Sequence, residues 1–414
     1  MSDSKKPPRP ASKPAAAKAP SAPPPPPPPL TPPPPPADPA HAMPVAPAAP
    51  SDDERWMDLA LVHARSGHPS PNPHVGAVVV KDGELVATAH HEKAGTDHAE
   101  VAALRAAGDR AKGATLYVTL EPCNHVGRTP PCTDAIVASG VARVVVGCRD
   151  PNPHVEGNGI EKLRVAGIDV TLGVREPQCR QTIAPWSKHI TTGLPYVSLK
   201  LALSLDGRIA TRSGASKWVT GPDARAKVHL LRARSDAIAI GIGTALADDP
   251  RLTVREAPGS SPLRIVFDTK LRLQASARLA QTAKEVPTLV LCGVDAPPEA
   301  EEELVNLGVE VVRTPLSTEG RLDAQLALRY LAQRGVVTLM VEGGAELAGS
   351  FLAARLADEL HAFIAPILLG PRGRPGAVDW AGPDTPQQAP RIAAPQWELV
   401  GEDAYAHGSI IYPE

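Results

Sequence analysis

The sequence predicts a two-domain α/β protein behind a proline-rich extension, and three observations lead there. Prolines crowd the start, with 21 of the 48 falling in the first fifty residues. From Asp52 onward, short β-branched runs alternate with stretches of helical spacing, the pattern of strands and the helices that cover them. A length of 414 residues also leaves room for two to three domains of about 100–200 residues each. The expected division is an extension over 1–50, a first α/β domain over 51–190 and a second over 195–414, with a linker around 178–193.

Each element has a local reason. Solid proline runs at 23–29 and 32–36 lack backbone donors and have fixed φ, so polyproline II and disordered coil are expected there. Composition favours a solvated extension without a catalytic role; a ligand for a proline-binding domain is the alternative. Trp56, Leu59, Ala60 and His63 recur at helical spacing and suggest a helix ending at Gly67. Apolar runs 75–80 and 85–89 flank Asp82-Gly83, a strong hairpin signal. A helix over 98–107, a strand over 115–120, a helix over 132–139 and a strand over 141–146 follow. Beyond Pro195 the expected strands are 196–201, 237–242, 264–268, 288–292, 309–312, 336–341 and 359–364. Helices are expected over 223–234, 323–334 and 345–357, so the sheet reads as mostly parallel and covered on both faces.

Composition narrows the function. Apolar residues make up 43% and aromatic ones only 3%, so Ala, Val and Leu fill the core. The net charge is −2, and the first fifty residues hold five Lys/Arg against two Asp, which leaves the folded part near −5. That balance argues against a nucleic-acid partner, which calls for a basic domain. No apolar run approaches the ~18 residues of a membrane helix. The opening Met-Ser-Asp-Ser-Lys-Lys-Pro-Pro lacks the apolar segment of a secretory signal. Five cysteines make a disulfide framework unexpected. A soluble, cytoplasmic protein of a reducing compartment is the expectation.

The sharpest chemistry lies in the first domain. His98-Ala99-Glu100 opens a helix, Pro122-Cys123 follows a strand, and Cys132 comes after eight intervening residues. One imidazole and two thiolates suit zinc, and three protein ligands leave a fourth position open, as a catalytic site requires. Zinc in such a site makes hydroxide available at neutral pH. Glu100, two positions from His98, is placed to shuttle protons to a leaving amine, work worth about 10²–10⁴-fold. The set matches the H-x-E…P-C-x-x-C signature of zinc deaminases, except that eight residues separate the cysteines instead of two. His125 is close enough in sequence to be a fourth ligand, which leaves a closed structural site as the alternative. Cys148, Cys179 and Cys292 lack such context and read as small apolar fillers.

Pro71-Asn72-Pro73-His74-Val75-Gly76, His98-Ala99-Glu100 and Glu121-Pro122-Cys123-Asn124-His125-Val126-Gly127-Arg128-Thr129-Pro130-Pro131-Cys132 resemble the bifunctional deaminase–reductases of riboflavin biosynthesis. The resemblance implies a cytidine-deaminase-like α/β/α sandwich in which His98, Cys123 and Cys132 hold one zinc ion per chain and Glu100 carries the proton. It also implies that Asn72, His91, Lys93, Asn124 and Arg128 help bind substrate. Val126 departs from the family, where histidine is common at that position.

In the second domain, a run ending at Val341 leads into Glu342-Gly343-Gly344-Ala345 and then a helix. Such a turn exposes backbone N–H groups at a positive helix end and can cradle phosphate, although a glycine pair alone reads more simply as a tight turn. Gly241-Ile242-Gly243 falls short of a dinucleotide fingerprint because position 246 is Leu. The resemblance continues through Leu199–Arg208, Ser216-Lys217-Trp218, Leu231–Arg234, Gly243–Pro250 and Val341–Gly344. It implies a reductase domain similar in fold to dihydrofolate reductase and using NADPH. Cofactor contacts would come from Ala202, Trp218, Thr244, Asp248, Thr269, Gly344, Ala345, Glu346, Leu347, Ala348, Gly349 and Ser350. Substrate contacts would come from Lys200, Ser216, Arg232, Leu252, Arg255 and Glu342, the two arginines as partners of a phosphate. The implied reactions are hydrolytic deamination of a phosphoribosylaminopyrimidine and then reduction of its ribosyl group to ribityl. The family is commonly multimeric, so a homo-oligomer is expected.

Overall fold

Helix α1 (Asp52–Ala64) begins where Ser51 and Glu54 form a capping box, each side chain accepting from a backbone N–H of the other. The computed structural model describes residues 49–127, 129–152, 158–370 and 376–413; the proline-rich extension, apart from its last two residues, and Arg128 lie outside them. The hairpin of β1 (Gly76–Lys81) and β2 (Glu84–His90) turns at Asp82 and Gly83, whose φ angles of 53° and 78° are those a two-residue turn demands. There follow α2 (Ala99–Ala107), β3 (Thr115–Leu120), α3 (Cys132–Ser139), β4 (Arg143–Cys148), α4 (Gly159–Val165) and β5 (Asp169–Leu172). The five strands lie in the order β2-β1-β3-β4-β5, antiparallel up to β3 and parallel beyond it. Ala77 to Val79 and Val144 to Val146 are wholly buried, so continuous apolar runs rather than alternation mark these strands.

The stretch expected as a linker is instead a pair of helices, α5 (Glu176–Thr182) and α6 (Ala184–Thr192). Proline stands in the first turn of each, where its missing N–H costs nothing and its fixed φ favours the helix.

The second sheet is built from β6 (Tyr196–Ser204), α7 (Pro222–Ala233), β7 (Ala237–Gly241), α8 (Ile242–Asp248), β8 (Leu263–Phe267), α9 (Arg278–Gln281) and β9 (Thr288–Gly293). It continues with α10 (Pro298–Asn306), β10 (Glu310–Thr314), α11 (Ala324–Gln333), β11 (Thr338–Glu342), α12 (Ala345–Ala353), β12 (Glu359–Ala365), β13 (Arg391–Val400) and β14 (Asp403–Ile411). The strand order is β10-β9-β8-β7-β11-β6-β12-β14-β13, parallel from β10 to β12 and antiparallel at the last two. The expected parallel strands are present with small shifts of their ends. The terminal hairpin was not expected, because β13 is largely exposed and slips register between Ala393 and Gln396, which erases any apolar alternation.

Arg264 on β8 is completely buried and makes no ion pair among the described residues. Its guanidinium donates to the carbonyls of Arg251, Leu279, Thr282 and Val286 and to two threonine hydroxyls, which ties the segment after α8 to the far end of the sheet. Two ion pairs join elements of the two sheets: His68 Nε2 lies 3.4 Å from Asp236 Oδ1, and Lys188 Nζ lies 2.5 Å from Asp358 Oδ2.

A Cβ added to Gly76 would lie 2.0 Å from the carbonyl oxygen of Ala60 and 2.7 Å from the nitrogen of Ala64, so Gly76→Ala forces α1 off β1. We expect a loss of roughly 1–3 kcal/mol, read as a lower midpoint in chemical denaturation. The hydrogen bond to Asp236 raises the His68 pKa above its ordinary 6.5, so this pair stabilises fully below 6.5 and less as pH rises through the raised value. His68→Gln should therefore lower stability in acid-side measurements and change it little well above pH 6.5.

Candidate active sites

His98 is the N-cap of α2, Cys123 follows the end of β3, and Cys132 is the first residue of α3. Because β3 lies beside β1 and α2 packs on that sheet, the three side chains meet: His98 Nδ1 lies 3.1 Å from the Cys132 sulfur and 3.5 Å from the Cys123 sulfur. All three donor atoms fall within 4.8 Å of one another. Tetrahedral zinc, with bonds of about 2.0–2.3 Å, spaces such donors about 3.5 Å apart, so the N,S,S set fits the ion. The backbone N–H of Cys132 donates to the Cys123 sulfur at 3.3 Å. A hydrogen bond with the Cys132 thiol, aided by His98, pulls Cys123 down to about 4, and the same bond together with burial pushes Cys132 up. The Cys123 sulfur is thus favoured as a thiolate and accepts an N–H from the start of a helix. His125 is not among the converging donors, although it lines the same cavity.

That cavity, of about 360 Å³, has Glu100 in its wall. Glu100 is 4% exposed, and burial pushes its carboxyl up to about 7. Asn72 and His91 also line it, and they are linked: the Asn72 amide nitrogen donates to His91 Nε2 at 2.9 Å, while His91 Nδ1–H donates to the Asp97 carbonyl at 2.9 Å. A carbonyl can only accept, so this fixes the imidazole tautomer and the orientation of the Asn72 amide.

Two other expected substrate residues lie outside the cavity wall. Lys93 is exposed in a turn with Thr96. The Asn124 amide oxygen accepts from Thr133 at 3.1 Å and from Lys162 at 2.9 Å, which turns it toward α3 and α4. Sequence reasoning missed Trp186 and Ile190, which reach the cavity from α6; their i,i+4 spacing was a signal, hidden by reading the segment as a linker. Glu121 was missed as well. Its buried carboxylate lines the cavity and accepts the backbone N–H groups of Asp150 and Ile160, which ties the end of β4 to the start of α4.

The second site is a cleft of about 1440 Å³ at the C-terminal ends of β6, β7, β8 and β11, where open parallel sheets bind ligands. Lys200, Ser216, Arg232, Leu252, Arg255 and Glu342 all line it. So do Ala202, Trp218, Thr244, Asp248 and Thr269, together with Gly344, Ala345, Glu346, Leu347 and Ser350. Ala348 and Gly349 do not: they sit on the opposite side of α12, where a Cβ on Gly349 would lie 2.0 Å from the Asp379 carbonyl oxygen. The turn into α12 uses Gly343 and Gly344 at φ 71° and 84°, and a Cβ on Gly344 would press to 3.1 Å from Thr244 Oγ1. Bare backbone therefore faces the cleft at the start of this helix.

Glu342 and Arg232 form a bidentate pair, Nε to Oε1 at 2.5 Å and Nη2 to Oε2 at 2.8 Å, and Arg232 Nη1 donates to the Thr253 carbonyl at 3.1 Å. The Arg232 fork is thus engaged with Glu342 rather than held open for phosphate. Burial pushes the Lys200 ammonium below its ordinary pKa, against the pull of Glu342. Ser216 donates to Asp248 at 2.5 Å, and the Arg225 guanidinium sits 4.6 Å above the ring of the exposed Trp218. Sequence reasoning found no cationic group for a cofactor phosphate, yet Arg251, Lys270, Arg272 and Arg278 line the cleft.

Residues 50–148 match the cytidine and deoxycytidylate deaminase zinc-binding region, and residues 195–409 match the RibD C-terminal domain. The riboflavin biosynthesis protein RibD of Aquifex aeolicus is 47% identical over 321 residues, covering 77% of this chain and 88% of that protein. A solved structure of Acinetobacter baumannii RibD is 38% identical with a TM-score of 0.75, over 87% of this chain and 99% of that one. A second solved structure, the diaminohydroxyphosphoribosylaminopyrimidine deaminase/5-amino-6-(5-phosphoribosylamino)uracil reductase of Thermotoga maritima, is 34% identical with a TM-score of 0.74, again over 87% and 99%. With both halves of its sequence matched and both sites built, the chain belongs to the RibD family, the bifunctional deaminase–reductases of riboflavin biosynthesis.

Proposed function

We propose that this chain deaminates 2,5-diamino-6-(5-phosphoribosylamino)pyrimidin-4-one at the His98–Cys123–Cys132 site and reduces the product's ribosyl group to ribityl in the cleft around Glu342, giving 5-amino-6-(5-phosphoribitylamino)uracil. The substrate assignment is supported by the likeness to the Thermotoga maritima deaminase/reductase, whose name specifies these pyrimidines. The cofactors are zinc and NADPH. The reading of the first site rests on one observation: an N,S,S donor set converges beside a buried carboxylate.

His98, Cys123 and Cys132 would hold the zinc, which supplies Lewis acidity that makes water nucleophilic at neutral pH. Glu100 takes a proton from that water on its carboxylate and delivers it to the departing amine nitrogen. A carboxyl pushed up to about 7 by burial can both accept and release that proton near neutral pH. Asn72, set by His91 and Asp97, orients the pyrimidine, and Trp186 and Ile190 exclude solvent from the far wall.

In the cleft, NADPH is the hydride donor, and the protein's task is alignment. The backbone at Gly343-Gly344 and the cationic lining suit its phosphates. Lys200 and Glu342 orient the reacting ribosyl carbon, with Arg232 fixing the Glu342 carboxylate and Arg255, held at the rim through Nη1 by Thr253, meeting the substrate phosphate. A homo-oligomer is the proposed assembly, supported by the exposed edge strand β13, where Trp397 is 65% and Leu399 78% exposed. A cytoplasmic location is supported by five unpaired cysteines; no helix among the described residues is long and apolar enough to cross a membrane.

Glu100→Ala should lower ammonia release by about 10²–10⁴-fold while reduction of supplied deaminated intermediate continues. Loss of both activities in a folded variant would count against separate sites. Glu342→Gln removes a charge from the bidentate pair and should cut NADPH oxidation by about tenfold or more without changing ammonia release. Full reductase turnover in that variant would remove Glu342 from the mechanism.

A further inference from the structure

One face of the second sheet is polar in two successive rows, the first being Ser198, Glu359 and Ser409. In register across β6, β12, β14 and β13 stand Lys200, His361, His407 and Gln396. Glu359 lies two residues before His361 on β12 and therefore shares its face. His361 is only 7% exposed; stacking on the Tyr405 and His407 rings accounts for its burial, but placing its Nε2 against a carboxylate needs a further reason.

The geometry supplies one. His361 Nε2 lies 3.3 Å from Glu359 Oε2, and a ring nitrogen of His407 completes a group whose three donor atoms lie within 4.8 Å of one another. The other His361 nitrogen, Nδ1, is 2.6 Å from the Tyr405 hydroxyl. A histidine that ligates a metal through one nitrogen is held through the other by such a partner, which fixes ring and tautomer. Donors around tetrahedral zinc stand about 3.3–3.5 Å apart, so the half-buried His407 needs to close by no more than about 1.5 Å. Lys227, the cation that acts on His407, lies over the Tyr405 ring and is paired with Glu398, which offsets its charge.

We propose that Glu359, His361 and His407 form a second divalent-cation site of the zinc class, separate from the deaminase site and independent of the functional reading above. Two imidazoles and a carboxylate are a borderline donor set that takes zinc or cobalt over calcium or magnesium. The ion would bridge the adjacent strands β12 and β14.

The test titrates the full-length, zinc-loaded protein with Zn²⁺ and, in parallel, with Co²⁺. A second equivalent per chain is expected, and cobalt in it should show ligand-field absorption without the sulfur charge-transfer band of a thiolate site. His407→Leu should abolish the second equivalent and keep the first together with ammonia release. Tyr405→Phe, which leaves all three donors in place, should weaken it by about 10–100-fold. A single equivalent in the wild-type protein, or a second equivalent retained at full affinity in His407→Leu, overturns the proposal.

Discussion

The backbone N–H of Cys132 reaches the Cys123 sulfur at 3.3 Å, which holds the start of α3 against the segment that leaves β3. The eight residues between the cysteines must therefore close a loop whose two ends share one sulfur. Once that loop is closed, the third donor comes from the neighbouring strand order: β1 lies between β2 and β3, and the chain leaving β2 delivers His98 at the cap of α2. Glu100 follows within the first turn of that helix and is buried because α2 packs on the sheet. Burial is what lifts its pKa, so the packing of one helix sets both the position and the protonation of the acid–base group.

The reductase half depends on a different device. Glu342 ends the central strand β11, and Arg232 reaches it from α7 across the cleft floor. Both are almost fully buried, and each offsets the other's desolvation. The two glycines after Glu342 then take backbone conformations that a side chain would strain, so the strand ends in a charged pair and the next helix begins with bare amides. Arg264 serves the other side of the cleft: it gathers carbonyls from four residues and so anchors Arg251 from behind.

Much of this was legible in the sequence because the decisive signals were local. The Asp82-Gly83 turn, the apolar runs of the parallel strands and the His-x-Glu, Pro-Cys and Cys set each declare themselves within a few residues. What stayed hidden depends on contacts made far along the chain. Nothing near Asn124 says that Lys162 will claim its amide oxygen, and nothing near Arg232 says that Glu342, 110 residues on, will take its fork. Ala348 and Gly349 share a turn of sequence with residues that line the cleft but face away from it, a distinction that requires knowing which face of α12 meets the cleft. The β13–β14 hairpin was invisible for another reason: an exposed strand with a proline and a register slip carries no alternation to read.

Helix α6 lends Trp186 and Ile190 to the wall of the deaminase cavity, while Lys188 between them grips Asp358 next to β12. The pocket of one enzyme is thus roofed by a beam whose footing stands in the other. A fragment cut before this helix would carry every deaminase ligand yet lie open on one side, so fission of the gene at that junction would demand a replacement cover. Fusion here is architectural as well as genetic.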